Sequence, residues 1–243
     1  MPAIPFPSRC ALLHDRQIAY AIRPAPRARA PYLSIRPGTG LVAHLPPGHG
    51  PTQAQRLIDR HAWWVVRHLA RWERLAAEMP KRWPYGSTLP YRGQEHEVHI
   101  QEAPRRMMVR QEPEGRLLAE VPRASIEQAR RVLIDWYREQ ARWWCGQRAD
   151  ALAALTGVAY RRISVRDQRT RWGSCSARGS LNFNYRLVMA PPEILDYVIL
   201  HELMHRRHLD HSRRFWRLVG QHCPAYQERI AWLRRYGPFL GVP

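Results

Sequence analysis

Lysine is almost missing from this chain: Lys81 is the single one, although Lys and Arg together number 39 in 243 residues. Acidic residues are scarce as well, 20 against those 39, so a formal charge of +19 is carried by arginine. Such a charge attracts polyanions (nucleic acid, nucleotides, acidic membrane surfaces), although arginine-rich usage also follows from genome composition. The four cysteines, Cys10, Cys145, Cys175 and Cys223, lie far apart and form no C-x-x-C pair. Reduced thiols in a cytoplasmic protein are therefore the expectation. No apolar run approaches the roughly 20 residues of a membrane span. The proline-broken start, Met1-Pro-Ala-Ile-Pro-Phe-Pro7, lacks an apolar signal core. No internal repeat and no low-complexity segment is visible. What the chain does have is apolar and aromatic bulk: 45% hydrophobic residues and ten tryptophans, a globular composition able to bury a real core.

The most chemically specific stretch is His201-Glu202-Leu203-Met204-His205, which is H-E-x-x-H inside Ile194–Trp216. Residues four apart share one helical face, so two imidazoles so placed can hold one Zn²⁺. Glu202, beside the first of them, has the position of a general base in metal-assisted hydrolysis. Pro191-Pro192-Glu193 opens the helix, with proline tolerated in the first turn and an acid at the positive dipole end. The run of Ile194, Leu195, Val198, Ile199, Leu200, Leu203 and Met204 predicts a helix buried nearly all round. His208 lies about 10 Å of helical rise from His201 and is too far to share an ion. A third ligand must then follow a turn, from among Asp210, His211, His222 and Glu228. His211 is preferred, since it completes H-E-x-x-H-x-x-H-x-x-H with His208 at the left-handed turn position. No methionine follows His211, which excludes a Met-turn.

Before this stretch the pattern predicts two lobes. Residues 1–121 read as a β-rich N-terminal lobe with one long helix over Gln53–Glu78. Its strands are expected at Gln17–Arg23, Leu33–Arg36, Leu41–Leu45, Glu95–Gln101, Met107–Arg110 and Arg116–Val121. The last three are expected to form an antiparallel sheet, and a Pro37-Gly38 turn and the stops Pro80 and Pro84 punctuate the lobe. Residues 122–243 read as a catalytic lobe. Ser125 caps a long helix towards Leu155 that Gly146 bends. Arg162–Arg166 and Leu181–Val188 are strands flanking a turn at Trp172–Cys175, and the second leads straight into the metal helix.

The run Arg169-Thr-Arg-Trp-Gly-Ser-Cys-Ser176, then Leu181-Asn-Phe-Asn-Tyr-Arg-Leu187, Tyr197–His205 and His211-Ser-Arg-Arg-Phe-Trp216 resembles the YgjP-like predicted metal-dependent hydrolases. These are zincins related to the SprT and WLM groups. Weaker similarity extends through Trp136-Tyr137-Arg138 and Tyr91-Arg92-Gly93, and Arg206 departs from the apolar residue expected there. The resemblance implies an α+β, zincin-like fold, zinc held by His201, His205 and His211, and Glu202 as catalytic acid/base. It also implies that the strand before the metal helix is a sheet edge along which an extended substrate lies.

The expected activity is zinc-dependent hydrolysis, foremost of peptide or protein substrates. Arg171 is a candidate to hold an anionic group or an oxyanion, and Asn184 to orient the edge strand or bind substrate backbone. Asp196 and Asp210 are candidates to orient the imidazoles. Trp172, Phe215 and Trp216 read as core, and Cys175 as an inert thiol. Two rivals follow from the charge: a metal-dependent nucleotide (phosphoanhydride) hydrolase, and a nucleic-acid-binding protein with a structural zinc. The second is disfavoured, because structural sites usually recruit cysteines and none lies within the H-E-x-x-H…H segment.

Overall fold

The computed structural model describes residues 9–36, 39–78, 88–168 and 170–242. The Pro37-Gly38 turn and the stops at Pro80 and Pro84 lie outside them. The chain divides into two compact units, Met1–Pro80 and Lys81–Pro243. The boundary expected at 121/122 thus falls inside the second unit.

In the first unit, β1 (Arg9–Leu13), β2 (Arg16–Pro24), β3 (Tyr32–Arg36) and β4 (Gly40–Leu45) form one sheet in the order β1-β2-β4-β3. β1 and β2 are a hairpin whose two turn residues, His14 and Asp15, both have positive φ (46° and 59°). That is the backbone a two-residue hairpin demands, supplied here without the usual Asn-Gly. The single helix expected over Gln53–Glu78 is two, α1 (Pro51–Arg60) and α2 (Ala62–Glu78), parted at His61 (φ −109°, ψ 22°). The His61 amide reaches both the Leu57 and Ile58 carbonyls, a tightened last turn. Ile18, Leu41, Ala43, Ala54, Ile58 and Val65 pack sheet and helices into one core.

The second unit begins with the same topology. β5 (Thr88–Tyr91), β6 (Gln94–Glu102), β7 (Met108–Glu112) and β8 (Arg116–Val121) are ordered β5-β6-β8-β7. In both sheets the first and last pairings are antiparallel and the central one parallel. This corrects two expectations. The sheet is mixed rather than antiparallel, because β8 returns beside β6 in the same direction. An internal structural repeat is present: hairpin, returning pair, then helix, with two-residue turns at His14-Asp15 and Arg92-Gly93 (φ 52° and 80°). The repeat was hidden because its halves share strand order and pairing direction rather than residues.

Next comes α3 (Ile126–Thr156), capped by Ser125, whose side chain accepts from the Gln128 amide at 3.2 Å, and ended by left-handed Gly157 (φ 63°). It runs unbroken through Gly146. Beyond it, β9 (Arg162–Arg166), β10 (Gly173–Cys175) and β11 (Ser180–Asn184) form a small sheet in the order β10-β11-β9. Two more expectations change here. Trp172–Cys175 is not merely a turn, since Gly173–Cys175 is a strand. Leu181–Val188 is a strand only to Asn184, then a 3₁₀ stretch over Tyr185–Met189. β11 is therefore the central strand and β10 an edge. The helices α4 (Pro192–Met204), α5 (Arg213–His222) and α6 (Tyr226–Tyr236) complete the unit.

One core joins the β5–β8 sheet, α3, the small sheet and α4–α6 through residues such as Leu117, Tyr137, Phe183, Ile199 and Phe215. Nine of the thirteen residues of α4 are buried, as its composition predicted. Its entry is fixed by the Arg92-Gly93 turn, whose amides donate to the Val188 and Met189 carbonyls at 2.8 and 3.2 Å. A side chain at Gly93 would meet the Pro191 Cα at 2.9 Å, so the turn seats directly on the chain entering the helix. All four cysteines are free thiols. No helix among the described residues is long and apolar enough to cross a membrane.

Candidate metal centre

The last turn of α4 presents His201 and His205 on one face, as i,i+4 spacing requires. The chain then leaves the helix through the turn at Arg206–His208, where the amide of His208 reaches the Met204 carbonyl at 3.1 Å. His208 is not among the residues of positive φ, so the left-handed turn expected there is not used. This turn brings His211 back over the face just left. One ligand atom from each of His201, His205 and His211 lies within 4.8 Å of the others. The Nε2 atoms of His201 and His211 are 3.1 Å apart. Two imidazole nitrogens on one tetrahedral zinc stand about 3.3 Å apart at the usual ~2.0–2.1 Å bond length.

The electrostatics fit a cation as well. Burial, then the neighbouring His205 and His211, pushes the His201 pKa down to about 3; burial also lowers that of His205. Both are neutral bases at physiological pH, the state a metal needs. His205 Nδ1 lies 3.0 Å from the His208 carbonyl. A carbonyl only accepts, so Nδ1 carries the hydrogen and Nε2 keeps its lone pair. Phe215 stacks on His205 with ring centroids 4.6 Å apart, and Trp216 lies 5.7 Å from both His201 and His211. Both aromatics wall the triad. Phe215 is fully buried, whereas Trp216 is only partly so.

Glu202, next in sequence to His201, lies against β10 and is 6% exposed. Burial raises its pKa to about 7 against the lowering effects of the Arg171 charge and a backbone hydrogen bond from Cys175. Gly173 makes room for it: a β-carbon there would stand 2.6 Å from Glu202 Oε1. The glycine of the W-G-S-C element is thus the floor under the carboxylate. Trp172 packs elsewhere, so close to Gly237 that a β-carbon on that glycine would lie 2.6 Å from its ring.

Arg171 is exposed and near enough to act on Glu202 by charge. Arg169 lies outside the described residues. Asn184 is not placed to hold substrate: it is buried, its amide donates to the Gln168 and Arg171 carbonyls (2.7 and 3.4 Å), and its oxygen accepts from the Arg186 amide. It steadies the loop that carries Arg171. Asp196 is likewise not an imidazole partner, since it forms a two-pronged ion pair with Arg148 of α3 at 2.7 and 2.8 Å. Asp210 accepts from the Ser212 amide at 3.3 Å, at the start of α5.

Three contributors escaped the sequence reading: the His208 carbonyl, the Cys175 backbone and Gly173. Two are main-chain atoms with no residue signature, and only the glycine, inside a distinctive element, offered a signal. Arg206, unexpected by resemblance, reaches across to the β10–β11 turn. Its Nη1 donates to the Ala177 carbonyl at 2.7 Å and its Nε to Ala159 at 3.3 Å.

A helix-borne histidine pair, a third histidine across a turn and a buried glutamate define a metal-dependent hydrolase within an α+β fold. The family model "YgjP-like, metallopeptidase domain" matches residues 29–236, and the chain belongs to that family of metallopeptidases. No curated protein matches. Among solved structures there is a likeness to the metallopeptidase zymogen of Pyrococcus abyssi abylysin, at 20% identity and TM-score 0.33. It covers 35% of this chain and 87% of that one.

Proposed function

We propose that the chain is a zinc peptidase in which His201, His205 and His211 hold the ion and Glu202 is the general acid/base. The observation that carries this is the convergence of three imidazoles within 4.8 Å, with a buried carboxylate next in sequence to one of them. Nitrogen-only donors in a partly open site suit zinc in a catalytic role better than a closed structural one. When bound, the metal would acidify a water and polarise a carbonyl oxygen. Glu202 takes the proton of the attacking water and delivers it to the leaving amine nitrogen, so one side chain serves both halves of peptide hydrolysis. Gly173 and the Cys175 backbone hold that carboxylate in place. The outer edge of β10 borders Glu202, and an extended peptide lying along it brings its carbonyl to the same spot. Arg171, on the loop before β10, is suited to the developing oxyanion or to an acidic substrate group.

The test is Glu202→Gln, assayed on labelled casein, a fluorogenic peptide library and nucleoside triphosphates, with zinc measured by elemental analysis. Peptide hydrolysis should fall on the order of 10²–10⁴-fold with zinc retained. Unchanged turnover would refute the role of Glu202. Triphosphate hydrolysis without peptide hydrolysis would refute the substrate class.

A further inference from the structure

Arg56, Arg60, Trp63, Arg67, Arg71 and Arg74 recur every three or four residues along α1 and α2, and all six are exposed. At helical pitch Trp63, Arg67, Arg71 and Arg74 lie in one stripe of α2, about 17 Å long and within an arc of about 80°, while Arg56 and Arg60, four residues apart, share one face of α1 before the break at His61. Trp63 is 66% exposed, and the Arg67 guanidinium lies over its ring at 5.0 Å.

Among the described residues the arginines of this stripe have no carboxylate partner, whereas three arginines of another long helix do. On α3, the corresponding helix of the repeat, Arg131 pairs with Glu127, Arg138 with Asp135 and Arg148 with Asp196. On α1 and α2 no ion pair to a stripe arginine occurs among the described residues. Of the described acids nearby, Glu73 is engaged with Arg16 and Asp59 with Gln55. Like charges at i,i+4 cost a helix about 0.2–0.5 kcal/mol per pair. This row therefore works against its own fold unless an external anion neutralises it.

We infer that this stripe is a binding surface for single-stranded nucleic acid, with the arginines following the phosphates and Trp63 stacking on an unpaired base. A regular line of guanidiniums with one exposed aromatic matches a linear polyanion. A membrane surface fits less well. Lipid binding by a helix needs an apolar face, and here that face, with Ala54, Ile58, Val65 and Leu75, is spent on the unit's own packing.

The full chain is titrated into fluorescein-labelled dT20, rU20 and a 20-base-pair duplex, from 50 to 300 mM salt, and into phosphatidylserine-containing vesicles. Binding to either single strand should weaken steeply with salt. R60A/R67A/R71A should flatten the log–log slope by about 2, at roughly 0.7 per phosphate contact, and weaken binding at 50 mM salt by about tenfold or more. Its melting temperature should hold or rise, because repulsion is relieved and alanine favours helix. The equally charge-depleted R105A/R123A/R162A should keep the parent slope, and Trp63→Ala should weaken binding with the slope unchanged. No oligonucleotide binding at 50 mM salt, equal losses in both triple variants, or binding to vesicles alone would overturn the inference. Equal affinity for duplex together with an indifferent Trp63→Ala would overturn the single-strand assignment.

Discussion

Gly173→Ala tests the link between strand and carboxylate with one methyl group. The added β-carbon would stand 2.6, 2.7 and 2.9 Å from Oε1, Cγ and Cδ of Glu202. Ordinary contact begins near 3.4 Å, so the carboxylate must retreat by about 0.8 Å. Backbone strain adds nothing, since Gly173 is not among the glycines of positive φ. The entropic gain of alanine over glycine, about 0.4–1 kcal/mol, offsets much of the local crowding. Stability should therefore change by no more than about 1–2 kcal/mol. The catalytic cost is larger, because a misplacement near 1 Å can lose about 10²-fold in rate. The expected variant is folded, zinc-loaded and roughly 10²-fold lower in kcat/KM on a peptide that the parent cleaves. Activity equal to the parent would show that β10 does not set the position of Glu202, and loss of zinc would show that the glycine supports the histidines instead.

Two further outcomes separate neighbouring assignments. His211→Ala should lose most bound zinc, measured on protein purified without chelator, whereas His222→Ala, at the exposed end of α5, should retain it; the reverse would move the third ligand. Asp196→Asn should lower the melting temperature by about 2–4 °C, for a pair worth about 1 kcal/mol given that Arg148 and Asp196 are 39% and 29% exposed. Its zinc content should match the parent, and a metal defect would reinstate Asp196 as an imidazole partner.

Elements written into local pattern were legible from sequence. α3 begins at its predicted cap, β9 and β8 have the predicted bounds, and the burial of α4 follows from its apolar run. What was not legible is pairing. Strands β6, β7 and β8 were each foreseen, yet their mixed order depends on which edge β8 finds, a long-range choice that alternation does not encode. β1 went unnoticed because its hairpin turn is His14-Asp15 rather than a glycine pair, and with it went the repeat.

The same division runs through the site. H-E-x-x-H is legible because its geometry is closed within one helical turn, where spacing dictates direction. His211 depends on a turn whose type the spacing does not dictate: the chain folds back without a left-handed residue at His208. Past that point the side chain ceases to be the unit of information. The partner of His205 is the His208 carbonyl, which any residue at that position would supply. Glu202 is held by a missing side chain at Gly173 and a main-chain group of Cys175. The sequence suggests Asn184 for the edge strand or substrate backbone and Asp196 for an imidazole, because both carry polar groups near the site in sequence. Each is instead consumed by a local need, the loop carbonyls at Gln168 and Arg171 for one and the α3–α4 contact for the other. A buried polar side chain is drawn to the nearest unsatisfied group, and in this unit those groups belong to loops and neighbouring helices rather than to the imidazoles.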